Sequence, residues 1–185
     1  VGFSFGVEYT QAQINDEIDG SPAGFVREKD TDGHGTHVAG TAVGNGAALS
    51  TKYSGLAPNA DIVIIKAGDG SFDTSNIIIA LDYLKNLSTS LGKPIVVNMS
   101  LGSQTGAHDG TDPLELAIDN FTDTAAGRIV EVASGNENGD NIHKQLAIAV
   151  GSSASIDLQV PTTTTTVSQD VFQFTAYAND TSAVT

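Results

Sequence analysis

The 185-residue sequence contains no cysteine. Disulfides, thiolate zinc sites, iron–sulfur clusters and a catalytic thiol are therefore excluded, while the redox compartment stays open. Basic residues are scarce: 8 Lys and Arg stand against 22 Asp and Glu, a formal net charge of −14. Nucleic-acid affinity is carried mainly by Lys and Arg, so a phosphate-binding role and an anionic membrane surface are disfavoured. Protein substrates are not. Long apolar runs are also missing. Segments such as Ile77 to Leu81 and Leu146 to Val150 are far too short to span a bilayer. There is no signal peptide and no initiating Met, and the chain opens at Val1 in an apolar, aromatic stretch. A cut from a longer protein is expected.

What remains is globular in character. The apolar fraction is 39% and the charged fraction 16%, which is not the balance of a disordered polyelectrolyte. The length suits one domain, with room for an appendage. Thr10 to Ile18 places Ile14 and Ile18 at i, i+4 among polar residues, a short surface helix. A loop rich in Gly, Pro and charge runs from Asp19 to Gly33. Gly33 to Val43 then carries Val38, Ala39, Ala42 and Val43, as a tightly packed buried helix would.

Three β-branched runs follow, at Asp61 to Ala67, Pro94 to Ser100 and Arg128 to Ala133. Short apolar runs of this kind are strands buried on both faces. Between the first two lies a helix capped by Asp73, striped with Ile77, Ala80, Leu81, Leu84, Leu87 and Leu91, and ended by Gly92. Before the third, Asp112, Pro113 and Glu115 spell a helix start: cap, first-position proline, and a carboxylate three after the cap. The expected fold is α/β, a parallel sheet with helices on both faces and right-handed crossovers. From about Gln145 the period drops to two, as at Leu146, Ile148, Val150, Ile156, Leu158, Val160, Phe172 and Phe174. This reads as the start of an antiparallel β unit, giving units 1–144 and 145–185, with Thr162 to Thr166 as an exposed hairpin loop.

Three segments can carry chemistry. In Asp32-Gly33-His34-Gly35-Thr36-His37-Val38-Ala39-Gly40 an imidazole opens a helix of small residues, with glycine on both sides. It is either a reactive base, a surface histidine at a helix start, or half of a metal pair with His37 at i, i+3. Asn98-Met99-Ser100-Leu101-Gly102 leaves a buried strand at its carboxyl end, where ligands bind in parallel sheets. Ala133-Ser134-Gly135-Asn136-Glu137 leaves the next, and Asn136 can aim a carboxamide N–H at a developing oxyanion. Each of the last two is, by itself, also an ordinary turn.

In this order and spacing, the three segments resemble the subtilisin-like serine peptidases. Gly55-Leu56-Ala57-Pro58-Asn59-Ala60 and the run after it match the same family. The resemblance covers roughly residues 25 to 140. Phe5 to Thr10, and Gly106 to Thr111, are similar to the bacterial branch related to clostridial spore-germination proteases, where a β-sandwich insert follows the oxyanion segment. The resemblance implies that His34 is the general base and Asn136 the oxyanion donor. It implies that Ser100, Leu101 and Gly102 bond an extended substrate as an added strand, and that Ala133, Ser134 and Gly135 line the pocket beside the scissile residue. Thr36 and His37 are then structural.

The departures are large. No Asp-Thr-Gly or Asp-Ser-Gly follows an apolar strand before His34, and no Gly-Thr-Ser-Met-Ala follows Asn136. The aspartate and serine of the triad are expected outside the chain, in missing segments of the same protein, and the chain alone is expected to be inactive. The resemblance implies a secreted or envelope-associated bacterial endopeptidase acting on protein or peptide, with no cofactor. Acidic loops suit a structural calcium ion, but Asp69, Asp73, Asp109 and Asp112 lack EF-hand spacing, so none is assigned. Two rivals stand beside this reading: a pseudopeptidase or peptide-binding module, and a metal-dependent hydrolase built on His34 and His37.

Overall fold

The computed structural model describes residues 3–20, 24–50, 52–159 and 174–177. In chain order these form α1 (Gln11–Asp19), α2 (His34–Val43), a 3-10 turn (Ala47–Leu49), α3 (Thr74–Leu91), β1 (Ile95–Met99), α4 (Pro113–Asp123) and β2 (Arg128–Val132). The helix ends follow local chemistry. Thr10 and Gln13 form a reciprocal capping box on α1, and Asp112 and Glu115 do the same on α4 behind Pro113. The Asp73 carboxylate accepts from the Ser75 N–H at the start of α3. Gly20 and Gly92 close α1 and α3 in the left-handed conformation.

β1 and β2 are parallel and in register, with Ile95 opposite Arg128 and Met99 opposite Val132. Side chains alternate across a strand, so Ile95 and Val97 share a face with Val130. The core forms there, from Leu81 and Leu84 of α3 and Phe121 of α4. Phe121 is 1% exposed. Arg128 fastens the layer: its guanidinium donates to Thr124 Oγ1, Thr89 Oγ1 and the Lys85 carbonyl, and lies 5.9 Å from the centre of the Phe121 ring.

The fold is α/β with a parallel sheet, as expected, and one expected strand differs. The run 61–67 joins no ladder, and the sheet of the described residues has two strands. Ile62 and Ile64 stay exposed, at 57% and 73%. A β-branched run becomes a strand only beside a partner edge, and this one is held at its ends by side chains instead. Lys93 pairs with Asp61, and Lys66 pairs with Glu28 and Asp69. Among the described residues α3 and α4 pack on one face of the sheet, and Val96 and Ile129 on the other are exposed. α2 buries no residue fully, with Val38, Ala39 and Val43 half-buried. Residues 145–159 carry no ladder among the described residues. Val160, Phe172 and the run Thr162 to Thr166 lie outside the described residues.

Candidate active site

His34 is the first residue of α2 and is exposed. The chain reaches it through Gly33, whose φ of 93° is left-handed and suits glycine. A glycine cap has no side chain to accept the free N–H groups of the first turn, and none does so from Gly33. The Asp30 carboxylate does this instead. It accepts from Gly33 N–H at 2.8 Å, Thr36 N–H at 2.8 Å, Thr36 Oγ1 at 2.7 Å and Asp32 N–H at 3.1 Å. These bonds, led by those from Gly33 and Thr36, hold the Asp30 carboxyl well below the ordinary carboxylate range. Asp32 adds one more, its carboxylate accepting the His34 N–H at 3.2 Å. Asp32 is thus part of the loop that feeds the helix, while the role of Asp30 escaped the sequence reading. Its signal was there: a carboxylate three residues before a glycine cap, with a threonine three residues after that cap.

Downstream, α2 is tied to the segment that matched the family pattern. Gly55, Leu56 and Ala57 N–H groups donate to the carbonyls of Gly44, Thr41 and Ala42. Thr36 is structural in that it bonds Asp30. His37 is exposed, and His34 and His37 gather no third metal ligand among the described residues.

The other two segments lie side by side because β1 and β2 are parallel neighbours. The ladder continues past the strands, with Ala133 N–H donating to the Met99 carbonyl at 3.1 Å. Ser100 and Leu101 are half-buried and Gly102 is exposed. Asn98 Nδ2 donates to Ser100 Oγ at 3.0 Å. Across from them, Ala133, Ser134, Gly135 and Asn136 are all exposed. Gly135 has φ 94°, and a Cβ there would come within 3.0 Å of Glu137 Oε2. That same oxygen accepts from Asn136 N–H and from Gln104 Nε2, each at 2.8 Å. Glu137 therefore clasps the exit loop of β1 to the exit loop of β2, a role not foreseen from the sequence. Ser100 to Gly102 and Ala133 to Asn136 are brought together. No hydrogen bond or ion pair among the described residues joins them to α2.

This arrangement offers an exposed imidazole on a pinned helix start. It also offers a strand edge ending in Ser100 to Gly102, and an exposed carboxamide beside it. The family model described as the subtilase family matches residues 6–183. Serine protease AprX of Bacillus subtilis (strain 168) is 31% identical over 153 residues, covering 76% of this chain and 34% of that protein. Subtilisin-like protease 11 of Arthroderma benhamiae, a fungal relative, is 34% identical over 160 residues, covering 83% of the chain and 34% of its own length. Among solved structures, the Clostridium perfringens CspB protease superposes with a TM-score of 0.66 at 35% identity, covering 72% of this chain and 30% of that one. The chain thus spans about a third of the length of these relatives.

Proposed function

Because the chain belongs to the subtilase family of serine endopeptidases, we propose that it supplies the histidine base and the oxyanion donor of a peptide-bond hydrolase. The observation that carries this is the pairing of the two exit loops at one sheet edge, with Asn136 exposed on one and the Ser100 to Gly102 backbone on the other. A peptide laid along that backbone as an added strand would present its scissile carbonyl near the Asn136 carboxamide. His34 would take the proton from an attacking serine hydroxyl and return it to the leaving amine. Asn136 would donate to the oxyanion, and Ala133, Ser134 and Gly135 would line the adjoining pocket. The chemistry is acyl transfer to water and calls for no cofactor.

The triad aspartate and serine belong, on this reading, to segments outside residues 1–185, and the chain alone does not turn over. Residues 145–185 are the start of an insert in the catalytic domain. The whole protein is secreted or held at a bacterial envelope, an assignment that rests on the family. The substrate is protein or peptide. Histidine substitution in the full-length protein tests the base. His34→Ala should lower kcat by several orders of magnitude, since a general base and its paired nucleophile act as a unit. His108→Ala and His143→Ala should leave turnover near wild type. Loss of turnover with His108→Ala and its retention with His34→Ala would overturn the assignment.

A further inference from the structure

We propose that Asp30 is a positioning residue for the proton transfer, fixing the direction of the His34 side chain by capping α2 from outside the helix. The inference rests on His34 being the base. The glycine cap at Gly33 lets the chain turn sharply into α2 but leaves the first turn unpinned. His34 sits in that first turn, where helices fray, and its own side chain is exposed, so packing does not hold it. Asp30 restores what the glycine lacks. Its Oδ2 accepts both the N–H and the hydroxyl of Thr36, two residues past His34. Its Oδ1 accepts Asp32 and Gly33 N–H groups, the residues just before His34. The backbone is therefore bonded to one carboxylate on both sides of the histidine.

A carboxylate at the positive end of a helix is favoured, and its four acceptor bonds fix where α2 begins and its rotational phase. The direction of the His34 Cα–Cβ bond follows from that phase. Proton transfer between a base and a hydroxyl is sensitive to misplacement of about 1 Å, which costs on the order of 10²-fold in rate. Asp30 does not touch the substrate. Its effect passes through the helix start, so its loss should act on turnover and leave peptide binding along Ser100 to Gly102 alone.

The test uses the full-length protein and counts active sites by fluorophosphonate titration. Removing Asp30 as Asp30→Ala should lower kcat per titrated site about ten- to a hundredfold, with KM within about twofold. Asp30→Asn keeps one acceptor oxygen but turns N–H donors toward Thr36, so its kcat should fall between wild type and Asp30→Ala. A purely structural role would lower the titratable fraction and leave kcat per site within twofold of wild type, and that result overturns the proposal. Should Asp30→Ala not fold, Thr36→Val decides. It removes the hydroxyl bond alone, and a threefold or greater fall in kcat per site supports the clasp while no change overturns it. His34→Ala runs alongside. If His34→Ala kept turnover, the base assignment would fall and the clasp with it; if it abolished turnover while Asp30→Ala did not lower kcat per site, only the clasp would fall.

Discussion

Asn136 is held through its backbone, whose N–H donates to Glu137, and this leaves the carboxamide exposed. An amide aimed at the oxyanion acts as negative charge develops, so it stabilises the transition state more than bound substrate. In the full-length protein, Asn136→Ala should lower kcat by about 10²–10³, the range established for one oxyanion donor in a subtilisin, with little change in KM. Asn136→Asp should be at least as damaging, because it sets a negative charge beside the oxyanion. A near-normal kcat for Asn136→Asp at pH 7, with unchanged stability, would leave the side chain a turn-former only. His34 and Asn136 were picked out in the sequence because residue type and order mark them. Asp30 and Glu137 were not. Each acts through a carboxylate that accepts more than one N–H donor, four bonds at Asp30 and two at Glu137, and that geometry exists only once the backbone has turned at Gly33 or Gly135.

At the scale of elements, α3 and α4 were legible from their caps, Asp73 and Asp112, and Gly92 stops α3; α1 was legible from the spacing of Ile14 and Ile18, and its Thr10 cap is seen in the structure. The run 61–67 was misread because β-branched composition reports a preference for pleated surroundings and not the presence of a partner edge. The carboxylate caps carry a pH dependence. Asp30 is lowered chiefly by the Gly33 N–H and the Thr36 hydroxyl, and Asp73 chiefly by the Ser75 hydroxyl and then its N–H. Unfolded, both return to about 4. Their folded values lie below that, so their stabilisation is fully present above the ordinary carboxylate range and is lost as pH falls through it toward the folded values. Helix content followed by circular dichroism should hold from pH 7 to about 5 and decline below about 4. Asp73→Asn should shrink that decline. Helicity that rises on acidification, or an unchanged decline in Asp73→Asn, would contradict this account of the caps.

At the scale of the molecule, one sheet face is packed by α3 and α4 around Phe121 and the other is open at Val96 and Ile129. The chain covers about a third of its relatives' length, and on the proposed function the peptidase is complete only with segments outside it. On that proposal its own residues supply a base, an oxyanion donor and a strand edge, while no Gly-Thr-Ser-Met-Ala segment stands among residues 1–185. The parallel pairing of β1 and β2 was legible from two apolar runs separated by a capped helix. The closeness of their exit loops follows from that pairing, while the clasp between Gln104 and Glu137 across them was not legible. The most direct measurement is fluorophosphonate labelling of the full-length protein, with the modified peptide located by mass spectrometry. The account predicts one labelled serine, outside residues 1–185, and no labelling of the isolated 185-residue chain. A labelled serine inside the chain, at Ser100 or Ser134 for instance, or peptidase activity with no labelled serine at all, would contradict it.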